Sequence, residues 1–165
     1  FTVGPDITAS TFNARRTRHD GIEAALSLDV SRWLRLRQVY LYSDFRFRKD
    51  PEFGGNRLPV VPTHVYRADL RIGGAGLHLT PNLEWVPKGP WSDYRNSVRT
   101  SGYVLFGVTA GATIRQGIDL FFDARNLSGR KAAGDVSAVI AATPASAIYY
   151  PVERRAVFGG VRARF

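Results

Sequence analysis

The stretch Ala156-Val-Phe-Gly-Gly-Val-Arg-Ala-Arg-Phe165 sets the terms on which the rest of the chain is read. Val157, Gly159, Val161, Ala163 and Phe165 fall on one parity, and Phe158, Gly160, Arg162 and Arg164 on the other. Successive side chains of an extended strand point to opposite faces. One face is therefore small and apolar and ends in an aromatic, while the other ends in two arginines. Soluble sheets alternate in the same way, so the reading depends on whether other segments repeat the pattern.

They do. Gly102–Ile114 places Val104, Phe106, Val108, Ala110, Ala112 and Ile114 on one parity, opposite mostly Gly and Thr. Ile118–Asn126 sets Ile118, Leu120, Phe122 and Ala124 against Asp119, Phe121, Asp123 and Arg125. Leu77–Val86 and Thr63–Ile72 alternate likewise, although Pro81 lacks the ladder donor that a central strand uses. An extended run starting within Thr11–His19 continues through Gly21–Val30, with Ile22, Ala24, Leu26, Leu28 and Val30 on one face. At a helical 100° step those residues would scatter around the axis, so a strand is predicted. Leu34–Phe47 is predicted to face Val39, Leu41, Phe45 and Phe47 to the apolar side. Leu34 and Leu36 then sit on the wrong parity, and a bulge near Arg37 is the expected repair.

The connections alternate in length. Ser31–Trp33, Gly73–Gly76 and Arg115–Gly117 are short, whereas Arg48–Pro62, Pro87–Thr100 and Leu127–Glu153 are long, the last with a turn of helix expected over Val136–Ala142. Phe1–Ser10, with Gly4, Pro5 and Asp6, reads as a loop. Short turns at one end and long loops at the other are the pattern of an up-and-down transmembrane barrel. The predicted fold is all-β: an antiparallel meander of about seven or eight strands, part of such a barrel. Trp33, Tyr66, Trp85, Phe45 and Phe47 are the expected interfacial aromatics.

Composition narrows the function. Apolar residues make up 44% of the 165, aromatics 12%, and no run approaches the ~18 consecutive apolar residues of a membrane helix. The net charge of +9 invites a nucleic-acid reading. The basic residues, however, recur inside strands beside acids, as Arg67 does with Asp69, so no nucleic-acid partner is expected. Cysteine is absent, which excludes disulfides and thiolate metal sites. His19, His64 and His78 have no ligand spacing, so no metal or other cofactor is expected. Glu84, Asp119 and Asp123 read as charges lining a polar interior rather than as acid/base catalysts, and the protein is not expected to be an enzyme. Gly73–Gly76 lacks a following Lys-Ser/Thr and reads as a turn, and the Asn126-Leu-Ser128 glycosylation match reads as accidental.

Several short signals occur in series. Gly21-Ile-Glu23 opens a strand, and Gly55-Asn56-Arg-Leu-Pro59 leads to Pro62-Thr-His64. Ser92-Asp93-Tyr-Arg-Asn96 lies in a loop, Ala124-Arg-Asn126-Leu127-Ser-Gly129 ends a strand, and Tyr150-Pro-Val-Glu-Arg154 precedes the terminal strand with its Phe165. In this order and spacing they resemble the C-terminal barrel part of a TonB-dependent outer-membrane receptor. The resemblance implies a plugged barrel of about 22 strands importing a ferric siderophore, cobalamin or similar scarce nutrient. It also implies residence in the bacterial outer membrane among its lipids, a TonB-type energiser as partner, and Phe165 as the signal for the barrel-assembly machinery. Trp91, Tyr94, Arg95 and Tyr149, on the long loops, are then the expected ligand contacts.

Bacterial single-chain barrels have an even number of strands, and an open sheet edge has no hydrogen-bond partner in hydrocarbon. Either residues Phe1–Arg15 supply an eighth strand, or 1–165 is one segment of a longer barrel with its plug and earlier strands elsewhere. Pro5 and its turn favour the segment, and the resemblance favours it more, because its signals belong near the end of a longer chain; the absence of Met and of a leader fits either a mature product or an excised piece. The alternatives are a self-contained eight-stranded barrel serving as adhesin, anchor or small channel, and a soluble all-β binding module.

Overall fold

The computed structural model describes residues 16–164, and among them the regular structure is entirely β. Seven strands form one sheet: β1 (Thr17–Ser31), β2 (Leu34–Phe47), β3 (His64–Gly73), β4 (Leu77–Trp91), β5 (Arg99–Arg115), β6 (Ile118–Arg125) and, last in the chain, β9 (Ala156–Ala163). Between β6 and β9 the chain adds a separate two-stranded ribbon, β7 (Ala133–Val136) with β8 (Tyr149–Pro151). The sheet order is β1-β2-β3-β4-β5-β6-β9, every pair antiparallel. β1 and β9 are the two edges, and they do not pair with each other. The possible eighth strand at 1–15 and the aromatic Phe165 lie outside the described residues.

The register stacks the apolar residues into one continuous face. Leu26 and Leu28 lie opposite Gln38 and Leu36, Leu36 opposite Leu70, Ala68 opposite Leu83, and Leu83 opposite Phe106. Ala110 then meets Phe122, and Leu120 meets Val161. A one-residue slip would turn each such set to the other side, so this alignment is what the alternation specifies. No described residue covers this face: Leu77 is 69% exposed, Val161 65% and Ile22 62%. The buried apolar side chains are few (Phe47, Phe53, Val86, Ala124, Val136 and Ala142), and several belong to loops and strand ends.

The opposite face is polar and cross-linked by charge. Arg37 pairs with Asp69 at 2.9 Å, Arg67 with Glu84 at 2.6 Å and Arg125 with Asp123 at 2.7 Å; Arg35 is joined to Asp29. Tyr103 donates to Glu84 (2.9 Å) and Thr113 to Asp119 (2.8 Å). Glu84, Asp119 and Asp123 therefore each meet a partner across or along strands. The narrow Gly/Thr side of β5 accommodates larger neighbours, since a Cβ on Gly111 would come within 2.4 Å of the His78 ring.

Five expectations need correction. The apolar parity of β2 is Leu34, Leu36, Gln38, Tyr40 and Tyr42, the residues in register with Ile22–Leu28 of β1 and with β3. Val39, Leu41, Phe45 and Phe47 face the polar side, and no bulge occurs near Arg37; the shift is in β1, between Asp29 and Ser31. Both parities of β2 carry apolar residues, so alternation alone was ambiguous. Pairing of Arg37 with Asp69 and of Arg35 with Asp29 fixes which side carries charge. It follows that Phe45 and Phe47 are not interfacial aromatics, whereas Tyr40 and Tyr42 share the face of Tyr66 and Trp85.

The second long connection is shorter than the predicted Pro87–Thr100. β4 runs on to Trp91 and β5 starts at Arg99, with a register shift between Lys88 and Trp91 that accommodates Pro90 and Gly89. Val136–Ala142 contains no helix; Val136 ends a ribbon strand instead. Pro81 does lie within β4, opposite Val108 of β5, but the pairing with β3 lapses between Asn82 and Leu79. The missing amide thus interrupts one ladder and leaves the other intact. At the β3–β4 turn, Gly73 has φ +111°, and a Cβ there would lie 2.2 Å from the Leu77 carbonyl oxygen. Only glycine fits that position.

Candidate functional site

The three short turns gather at one end of the sheet, and the three long connections (residues 48–63, 92–98 and 126–155) meet at the other. Their junction is built on Asp93, which is fully buried. One carboxylate oxygen accepts from the Ser97 and Val98 amides at 2.8 and 3.2 Å, closing the 92–98 loop on itself. The other accepts from the Ala142 amide at 3.3 Å, tying in the third connection. Main-chain bonds reinforce this contact: Tyr94 N–H to the Val139 carbonyl at 3.0 Å and Val139 N–H to the Ser92 carbonyl at 3.2 Å. A carboxylate satisfied by several N–H groups is stable when buried, which a lone one is not.

Asn96 joins the second connection to the first. Its Oδ1 accepts from the Arg57 amide (2.8 Å), and its Nδ2 donates to the Arg57 carbonyl (2.9 Å), mimicking a strand pairing. It does so from φ +56°, a left-handed backbone that asparagine tolerates better than most residues. Asn56 donates from Nδ2 to the Tyr94 carbonyl at 3.0 Å. Over these bonds lie three rings: Phe47 and Phe53 at 4.9 Å, Phe53 and Tyr94 at 5.5 Å, Phe47 and Tyr94 at 5.8 Å. Asn126 anchors the third connection where β6 ends. It is buried at φ +45°, donates to the Arg130 and Glu153 carbonyls, and accepts from the Arg130 amide.

Of the motif residues, Asn56, Asp93, Asn96 and Asn126 are thus the ties among the long loops, and Pro59 is buried beside them. Pro62 is half-buried just ahead of β3, and Leu127 is exposed with its amide bonded to the Phe106 carbonyl. Gly21 lies close to β2, where a Cβ would come within 2.9 Å of the Tyr42 carbonyl oxygen. Glu23 is exposed on the edge strand, and the space around Gly55 is open.

The expected ligand contacts divide. Trp91, Tyr94 and Arg95 come together at the loop junction. Trp91 stacks under the Arg99 guanidinium at 5.3 Å, and exposed Arg95 reaches Glu52 at 3.5 Å. Tyr94 is half-buried among the phenylalanines, so its ring helps build the junction. Tyr149 is on the β7–β8 ribbon, opposite Val136 and 41% exposed. Phe47 and Phe53 belong to the same junction but were not anticipated there; the apolar parity of β2 pointed the wrong way for Phe47. Among the described residues no cluster of His, Cys, Asp or Glu has the makings of a metal centre.

An uncovered apolar face, a charged opposite face, unpaired edges and loops gathered at one end define the wall of a transmembrane β-barrel. The family model for TonB-dependent receptor-like β-barrels matches residues 1–127. The chain belongs to that family. Among solved structures it is similar to the siderophore receptor PiuA of Acinetobacter baumannii, with 19% identity, 89% of this chain and 22% of that one covered, and a TM-score of 0.73. It is also similar to the ferric yersiniabactin uptake receptor FyuA of Yersinia pestis (17%, 90% and 24%, TM-score 0.76). A third similar structure is the ferric enterobactin receptor PfeA of Pseudomonas aeruginosa (19%, 93% and 23%, TM-score 0.70). The chain thus spans less than a quarter of the length of these receptors. No curated protein matches it.

Proposed function

We propose that the chain is the C-terminal part of the wall of an outer-membrane receptor that imports a ferric siderophore or a similar scarce nutrient, energised through TonB. In this reading 1–165 is a single segment, and the plug and earlier strands belong to the rest of the protein. The observation that carries it is the two-faced open sheet: apolar residues more than 60% exposed on one side, cross-strand ion pairs on the other. In water such a face would collapse or aggregate; in a bilayer it is solvated, and the unpaired edges of β1 and β9 continue into neighbouring strands. The names of the similar receptors, each a siderophore or ferric-chelate receptor, support the cargo class.

Barrel diameter grows with strand number. A sheet that superposes on the walls of these large receptors over about nine-tenths of its length has their gentle curvature, which argues against a closed eight-stranded barrel. Trp91, Arg95 and Tyr149 have the aromatic and cationic chemistry to touch an anionic chelate at the mouth, with Tyr94 supporting them from behind. Phe165 is the proposed signal to the assembly machinery.

The test is growth and radiolabelled-iron uptake by cells whose only receptor is the full-length protein, supplied with a panel of ferric siderophores. Uptake of one chelate that disappears when TonB is deleted is expected. Uptake unchanged without TonB would contradict the reading.

A further inference from the structure

The middle of the polar face is balanced in charge: Arg37 meets Asp69, Arg67 meets Glu84 and Arg125 meets Asp123. Where β4 and β5 approach the long loops, that balance ends. By the β4–β5 register, Lys88 and Arg99 share the parity of Glu84 and Tyr103, so both belong to the polar face. Among the described residues neither has a carboxylate partner. Arg99 bonds through Nε to the Gly89 carbonyl at 2.9 Å, which leaves its two terminal nitrogens without a hydrogen-bond partner among those residues. Lys88 is exposed.

Trp91 reaches this corner through a bulge. Counted along β4 from Trp85, it has the parity of the apolar face. The register gains one residue on β4 between Lys88 and Trp91, so Trp91 lies opposite Arg99 instead, and the guanidinium stacks on its ring at 5.3 Å. Bulges re-aim side chains in this way and are over-represented beside functional sites. This one is locked in place. Thr100 Oγ1 donates to the Pro90 carbonyl at 3.3 Å, and a Cβ on Gly89 would run into the same hydroxyl. From the first long connection, Val60 donates its amide to the Trp91 carbonyl at 2.9 Å. It does so from φ +72°, a left-handed backbone that is costly for a β-branched residue and persists only where its surroundings hold it.

The corner thus presents a guanidinium fixed against an indole, its terminal N–H groups unengaged, beside an ammonium with no counter-charge. A guanidinium binds anionic oxygens by paired N–H donation and also stacks on aromatic rings. We propose that Lys88 and Arg99 determine which cargo is taken, selecting a ferric chelate that carries net negative charge on aromatic oxygen donors, the catecholate class. The inference rests on the receptor reading above and names the charge of its cargo. Catecholates leave a net negative charge around iron(III), whereas hydroxamates leave the chelate neutral. Drawing cations out of water is compensated by an anion and not by a neutral ligand.

The test measures radiolabelled-iron uptake against concentration in cells whose only receptor is the full-length protein, supplied with ferric enterobactin (a tris-catecholate) or ferrichrome (a neutral tris-hydroxamate). Wild type should take up the first in preference to the second. The Lys88→Gln/Arg99→Gln double variant should raise the half-saturating concentration for ferric enterobactin about tenfold at an unchanged maximal rate, as expected for lost charge-assisted contacts. Arg115→Gln, at the short-turn end of the same wall, should leave it unchanged. If the double variant does not fold, as judged by its gel mobility before and after heating, Lys88→Gln alone should still raise it several-fold. An unchanged half-saturation in a folded Lys88 variant would overturn the inference and leave the receptor reading standing. So would TonB-dependent uptake of ferrichrome alone, or of neither chelate. Uptake that persists without TonB would overturn the receptor reading and the inference with it.

Discussion

The two faces of the seven-stranded sheet are made from the same strands and obey opposite rules. On one, Leu77, Leu79, Leu83, Val108 and Val161 lie side by side with no partner layer among the described residues, and the charged side chains of that parity (Arg18, Asp20, Asp44 and Arg46) gather at the long-loop ends of β1 and β2. On the other, two residues away along each strand at most, arginines and carboxylates pair from strand to strand. A sheet in water would bury the first face. The difference shows that two solvents act on this wall, hydrocarbon outside and a hydrated or polar-packed interior within.

The contrast can be broken most forcefully by moving a charge across it. Val108→Arg, at the middle of the apolar face, should cost about 2–4 kcal/mol in the unfolding free energy of the barrel in lipid. Thr109→Arg, one residue along on the polar face, should cost under about 1 kcal/mol by the same denaturant titration. Equal costs would mean that the faces are not in different solvents. Next in size is the loop junction. Asp93→Ala strands the Ser97, Val98 and Ala142 amides at a buried site, for a local loss of about 2–3 kcal/mol. Hydrogen exchange at those amides should accelerate together while the β5 ladder is unaffected; unchanged exchange would show that Asp93 does not hold the loops.

Packing on the polar face is the third case. Gly111→Ala pushes a methyl into the His78 ring and should destabilise by about 1–3 kcal/mol, with His78→Ala in the same chain relieving most of it. A double variant as unstable as the sum of the singles would refute the contact. Smallest is a single ion pair. Arg67→Gln should cost under about 1 kcal/mol, a loss that shrinks as salt is raised.

Sequence periodicity carried the fold where one parity was clearly apolar, as in β5, β6 and β9. It failed in β2 because Leu34, Leu36, Tyr40 and Tyr42 compete with Val39, Leu41, Phe45 and Phe47, and the winner depends on the register with β1 and β3. Cross-strand charge could have decided it: Arg35 and Arg37 must face Asp29 and Asp69. The strand extensions into Pro87–Trp91 were hidden because Pro and Gly read as loop, yet a bulge absorbs both. In the candidate site, the motif asparagines and Asp93 were legible as residues but not as ties. Their role is a set of bonds between connections about 40 residues apart in the chain, such as that of Asn96 to Arg57, which no local pattern encodes. The β7–β8 ribbon was invisible for a similar reason: its strands are four and three residues long, too short to show alternation.

The most direct test of the central claim uses the fact that this chain has no cysteine of its own. Single cysteines placed along β5 from 104 to 113 and labelled with an environment-sensitive fluorophore would be read in bilayers against a brominated lipid and against aqueous iodide. Lipid quenching is expected at Val104, Phe106, Val108, Ala110 and Ala112, and iodide quenching at the residues between them. Iodide reaching both parities equally, or lipid reaching neither, would contradict the account.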